Sequence, residues 1–120
     1  MTDLRMAQWP LSLELTEILQ ELVGEKSQGI ILDFIDHGRN ADVVEIRIDS
    51  DGKISFLGVA KPSGEGREKP WLAFDFAHRE YRHTGNTEDI KEGINVFRAW
   101  QIQFCRNFQK YEVKYNEYTV

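Results

Sequence analysis

The chain has 120 residues, a net charge of −5, 41% hydrophobic residues and 12% aromatic ones, enough apolar material for one packed domain over residues 1–120 and too much for disorder. A single cysteine, Cys105, rules out a disulfide scaffold. No stretch approaches the roughly eighteen uninterrupted apolar residues of a membrane span, and an acidic balance argues against a general binder of nucleic acid, so a cytoplasmic protein with no membrane or nucleic-acid partner is expected.

Residues 1–9 carry no helical or strand pattern and are expected to be disordered. Leu11, Leu15, Ile18, Leu19 and Leu22 then recur at helical spacing, with Glu14, Glu17 and Glu21 between them. Pro10 suits the first turn of this helix, Ser12 is an alternative cap, and Gly24 is placed to end it. "GIILDFID" is apolar on both parities, as in a strand covered on both sides. "HGRN" supplies a turn. In "DVVEIRID", Val44, Ile46 and Ile48 alternate with Glu45, Arg47 and Asp49, which predicts a half-buried strand. "SDGK" makes a tight turn, and "ISFLGVA" returns as its hairpin partner. Residues 61–70, "KPSGEGREKP", read as a mobile surface loop.

"WLAFDFA" resumes the alternation, with Leu72, Phe74 and Phe76 on the core side. "HTGNTED" breaks it and predicts a helix start, with Asn86 or Thr87 as cap and Glu88 and Asp89 in the first turn. Ile90, Ile94, Phe97, Trp100, Phe104, Cys105 and Phe108 hold one helical face, with Gln101 near its middle as a candidate partner for a buried polar group. Tyr111, Val113 and Tyr115 alternate with Glu112 and Lys114 in a closing strand. The predicted fold is α+β, in the order α-β-β-β-β-α-β. It is a two-layer sandwich in which two helices cover a mostly antiparallel sheet of four to five strands.

Most motifs for specific chemistry fail on spacing. Asp49, Asp51, Gly52 and Ile54 resemble the middle of a calcium loop, but its first and twelfth ligand positions hold Arg47 and Gly58, so a hairpin turn explains them better. Cys105 lies on the apolar helix face and is expected to be buried and inert. The glycines of "SGEGREK" fit no phosphate-binding loop, and no G-x-S-x-G elbow occurs. No cofactor, metal site or catalytic set is expected.

"FAHREYRH", residues 76–83, is the densest titratable stretch. His78 and His83 are five apart, an offset that neither a helix nor a strand brings to one face. A strand continued from Trp71 places Trp71, Ala73, Asp75, Ala77, Arg79, Tyr81 and His83 in one outward row. Trp, Tyr and Arg dominate interface energies, so Trp71, Asp75, Arg79, Tyr81 and His83 are the candidate partner-binding residues.

Residues 1–60 hold eleven acids against five bases, and residues 61–120 nine against ten. Glu14, Glu17, Glu21, Glu25, Asp33, Asp36, Asp42 and Asp49 could form a negative face that steers a basic partner. The expected function is a non-enzymatic protein-binding module, monomeric or homodimeric. It would be a small acidic inhibitor of the size and charge of toxin-neutralising immunity proteins and escort chaperones. Its partner would be a basic protein such as a nuclease toxin or secreted effector, blocked sterically. The alternative is a small hydrolase or nuclease using His78 or His83 with Asp75 and Arg82. A small-ligand pocket around Gln101 and Trp100 ranks third.

Overall fold

The computed structural model describes residues 12–24, 29–36, 42–50, 53–63, 66–67 and 70–118. Helix α1 (Leu13–Val23) begins where the sequence places a cap: Ser12 Oγ accepts the Leu15 N–H at 3.1 Å. It ends at Gly24, whose φ of 63° is cheap only for glycine. Three strands follow, β1 (Gly29–Ile35), β2 (Val43–Ile48) and β3 (Ile54–Ala60). Next come a small ribbon of β4 (Pro62–Ser63) and β5 (Gly66–Arg67), and then β6 (Leu72–Asp75), β7 (Glu80–His83) and β8 (Asn86–Asp89). Helix α2 (Ile94–Arg106) and β9 (Glu112–Tyr118) complete the order. Pro10, the "HGRN" turn, Glu25, Asp51, Gly52 and residues 1–9 lie outside the described residues.

Seven strands form one antiparallel sheet in the order β8-β7-β6-β3-β2-β1-β9. Ile30, Leu32 and Phe34 of β1, Val44, Ile46 and Ile48 of β2, and Leu72 and Phe74 of β6 share one buried face. Leu15, Leu19 and Val23 of α1 and Phe97 and Phe104 of α2 pack onto that same face. Both helices therefore form a single layer, tied together by the Ser12 N–H donating to Gln101 Oε1 at 2.9 Å. Gln101 is buried and satisfied, as its place on the apolar face suggested. The opposite parity of β1, Ile31, Asp33 and Ile35, is only partly buried, and among the described residues no helix covers it.

The architecture is α+β, but the expected four or five strands become seven, and the element order changes between residues 71 and 93. Three local interactions cause this. The Phe76 and Ala77 N–H groups both donate to Ser55 O, at 3.0 and 3.2 Å, and Asp75 Oδ1 accepts the His78 N–H at 3.0 Å. Together they bend the chain into a turn that Arg79 completes with φ 59°. Thr84 (φ 44°) and Gly85 (φ 87°) then make the two-residue, positive-φ connection that suits a hairpin, so "HTGN" closes β7 onto β8 and starts no helix. The cap is Asp89, whose Oδ1 accepts the Lys91 N–H at 3.1 Å and opens a 3-10 turn, Ile90–Gly93, ahead of α2. Within the stretch read as an irregular loop, Pro62 and Ser63 pair with Arg67 and Gly66.

The negative charges do not collect on one side. Glu14, Glu17 and Glu21 stand exposed on α1, whereas Asp33 sits on the far face of the sheet, opposite Glu45 and Lys114. Among the described residues no helix is long and apolar enough to cross a membrane.

Candidate functional site on the uncovered sheet face

Among the described residues, no helix covers the second face of the sheet. Its side chains are set by register. Glu45, Gly58, Ala73 and Arg82 lie side by side across β2, β3, β6 and β7, and Arg47, Phe56, Asp75 and Glu80 form the next row. Phe56 shares this face with Gly58 and Ala60, alternating with Leu57 and Val59 of the core. Next to it β3 is bulged: Ile54 pairs with Ile48 and Phe56 with Arg47, so Ser55 is an extra residue that turns Ile54 to the core.

Gly58 lets the Phe56 ring lie down on the sheet. A Cβ at Gly58 would stand 2.7 Å from Phe56 Cε1 and 2.9 Å from Cζ. The Arg47 guanidinium lies over the ring, 4.9 Å from its centroid, while its Nε donates to Glu45 Oε2. A trough of about 560 Å³ runs beside this platform, with Val43, Ala60 and Pro70 on its apolar parts and Asp75 and Arg82 on the far bank.

Asp75 organises that bank. Its side chain is 11% exposed, and it accepts from the His78 backbone N–H, from the His78 ring through Nδ1 at 3.0 Å, and from Arg82 Nη2 at 3.5 Å. Arg82 also donates to Glu80 Oε2 through Nε and Nη2, at 3.2 and 2.9 Å. Both arginines of the face thus arrive already paired with carboxylates. Such a charge-balanced mosaic around an aromatic ring suits a protein surface better than a polyphosphate, which needs net positive field. No cluster of three or more His, Cys, Asp or Glu side chains suited to a metal ion occurs among the described residues.

Of the five residues expected in one binding row, the structure brings only Asp75 to this face. The hairpin breaks the row. Tyr81 pairs with Phe74, not with Asp75, and is 5% exposed in the core, its ring 5.5 Å from Phe74 and 4.8 Å from His83. Burial first, then the charge of Glu88, pushes the Tyr81 phenol above its ordinary value. His83 lies on the helix-bearing side and pairs through Nε2 with Glu88 Oε2 at 2.6 Å. Arg79 is exposed at the turn, its carbonyl accepting the Ile90 N–H. Trp71 precedes β6 and faces a separate crevice. His78 and His83 stay apart, as their spacing required. Phe56 and Arg47 were in neither expected set, and Arg82 was expected only in the hydrolase alternative.

No protein-family model matches the chain, and no curated protein matches it. Among solved structures it is similar to the hypothetical protein VC0508 from the Vibrio cholerae VSP-II pathogenicity island. The likeness has a TM-score of 0.64 at 17% identity and covers 97% of this chain and 100% of that one. At that identity what is shared is the fold.

Proposed function

We propose that the protein is a non-enzymatic protein-binding module, a small acidic inhibitor or escort of the immunity-protein kind that blocks a basic partner sterically. The observation that carries this reading is the Phe56 platform: an aromatic ring laid on Gly58, capped by Arg47 and bordered by a trough, on a face no described helix covers. Aromatic and arginine side chains at the centre of a patch are the usual anchors of an interface. The net charge of −5 favours encounter with a basic partner.

The test is capture of the partner from the native source by the intact protein, followed by measured affinity. Phe56→Ala is expected to weaken binding by about thirtyfold, the equivalent of a hot spot of about 2 kcal/mol, with the melting temperature nearly unchanged. Gly58→Ala acts on the same ring from below, lifting Phe56 off the sheet, and is expected to weaken binding in the same direction. Equal affinity in both variants would refute this face as the contact surface.

A second reading rests on the bond between His78 and Asp75. With Nδ1 held by a carboxylate, Nε2 of an exposed imidazole is left facing solvent, the posture of a general base. A small hydrolase or nuclease built this way loses turnover of phosphoesters or RNA in His78→Ala and Asp75→Asn but keeps it in His83→Ala. A screen that finds no turnover removes this reading.

A further inference from the structure

A second recess lies on the helix-bearing side, where the ends of β1, β2 and β6 meet α2. It encloses about 280 Å³ and is lined by Trp71, Trp100 and Tyr111 together with the carboxylates of Asp36 and Asp42. We propose that this crevice is a receptor for a cationic side chain, a guanidinium or alkylammonium group presented by a protein partner. Its assignment to a protein rests on the reading above, whereas the cation chemistry stands on the crevice alone.

Three observations carry the proposal. The first is the pairing of aromatic faces with negative charge. Indole is the strongest of the side-chain rings in attracting a cation, and nearby carboxylates add to that attraction where water is partly excluded. The fields of Asp36 and Asp42 converge on one wall: burial first, then these two carboxylates, raise the Tyr111 phenol above its ordinary value.

The second is a resident cation. Lys61 Nζ sits 3.4 Å from Asp42 Oδ1, so the crevice already pairs with an ammonium group. That oxygen is enclosed and accepts no hydrogen bond from the described residues.

The third is preorganisation. Trp100 stacks between Phe97 and Phe104, with centroids at 6.1 and 4.7 Å, so it is a fixed wall whose faces these rings occupy, and the exposed Trp71 is the indole left to meet a cation. The Trp71 backbone is pinned on both sides, its N–H donating to Val59 O at 3.0 Å and its carbonyl accepting the Thr84 N–H at 2.8 Å. The residue nevertheless remains 41% exposed, which leaves its side chain accessible to a ligand.

The test uses the intact protein and short peptides, with the indole N–H resonances of Trp71 and Trp100 as readout. Acetyl-Gly-Gly-Arg-Gly-Gly-amide and its Lys counterpart are expected to shift both resonances saturably, with a Kd of about 1 mM or below. The Gln counterpart is expected to shift neither. Asp36→Asn with Asp42→Asn, and separately Trp71→Ala, should weaken Arg-peptide binding at least about tenfold. Lys61→Ala should tighten it, because a competing ammonium is gone. Added salt should weaken the peptide's binding to the unmutated protein, which keeps the test decisive if a variant folds poorly. The proposal is overturned if the Gln peptide matches the Arg peptide, or if neutralising both carboxylates leaves affinity unchanged. Tighter binding of tetramethylammonium than of either peptide would overturn the assignment to a protein side chain.

Discussion

Replacing Phe74 with alanine is expected to lower the stability of the fold by about 3–5 kcal/mol, the range for deleting a fully buried ring. Phe74 is 0% exposed and sits where β6, β7 and α2 converge. Its ring is stacked with Tyr81 at 5.5 Å and Phe76 at 6.4 Å, and meets Phe97 edge-on at 5.3 Å. Removing it strips contacts from three aromatic neighbours at once, and the sheet backbone on one side prevents collapse into the gap. Domains of this size have about 5–15 kcal/mol in total, so this one substitution should remove at least about a fifth of it. Urea titration followed by far-UV circular dichroism is the measurement: the midpoint should fall by a large fraction with the slope unchanged. A loss below about 1 kcal/mol would contradict the packing described for this ring.

Gly93→Ala is expected to cost about 1–3 kcal/mol by the opposite mechanism, overfilling. Gly93 sits at the junction of the 3-10 turn and α2, with φ −94° and ψ 1°, a conformation open to alanine. The obstacle is space. A Cβ there would lie 2.7 Å from both Cγ and Cδ1 of Tyr81 and 3.1 Å from Phe74 Cε1. Tyr81 cannot step aside, because Phe74 and His83 hold it by stacking. Gly24→Ala is the informative control. Its Cβ would meet nothing within 4 Å, so only the backbone conformation, φ 63° with ψ −134°, is penalised, at about 1–3 kcal/mol. The urea midpoint of Gly93→Ala should fall accordingly, and an unchanged midpoint would mean that the Tyr81 ring yields easily.

Much of the fold was readable from alternation and caps. Ser12 and Gly24 bound α1, Leu15 and Leu19 mark its buried side, and Val44, Ile46 and Ile48 mark the buried side of β2. The failure lies where parity is broken by geometry that alternation does not encode. Phe74 pairs with Tyr81, an even position with an odd one, so passing round the 76–79 turn exchanges the two faces. A straight count from Trp71 therefore sends Tyr81 and His83 to the wrong side. The Ser55 bulge does the same in β3, turning Ile54 to the core although it shares the even numbering of the outward Phe56. In β8, Asn-Thr-Glu-Asp has no apolar parity at all, because an edge strand exposed throughout has nothing to bury. The site was legible one residue at a time and not as a set. Asp75 could be picked from its neighbourhood, but Arg47, Phe56 and Arg82 come from three other strand segments, and only cross-strand register makes them neighbours.

The place of β1 in the sheet bears on how the protein is made. Its two neighbours are β2, which follows at once, and β9, whose paired residues lie between 77 and 89 positions further along the chain. While a ribosome is still extending the chain through α2, one rim of β1 has its peptide groups unpaired beside Ile30, Leu32 and Phe34. That rim closes only after residues 112–118 have cleared the exit tunnel, and joining such distant segments places folding in the slow, millisecond-to-second regime. Until then the nascent chain carries a sticky border, the stage at which holding chaperones or a pause in synthesis would matter most to its yield.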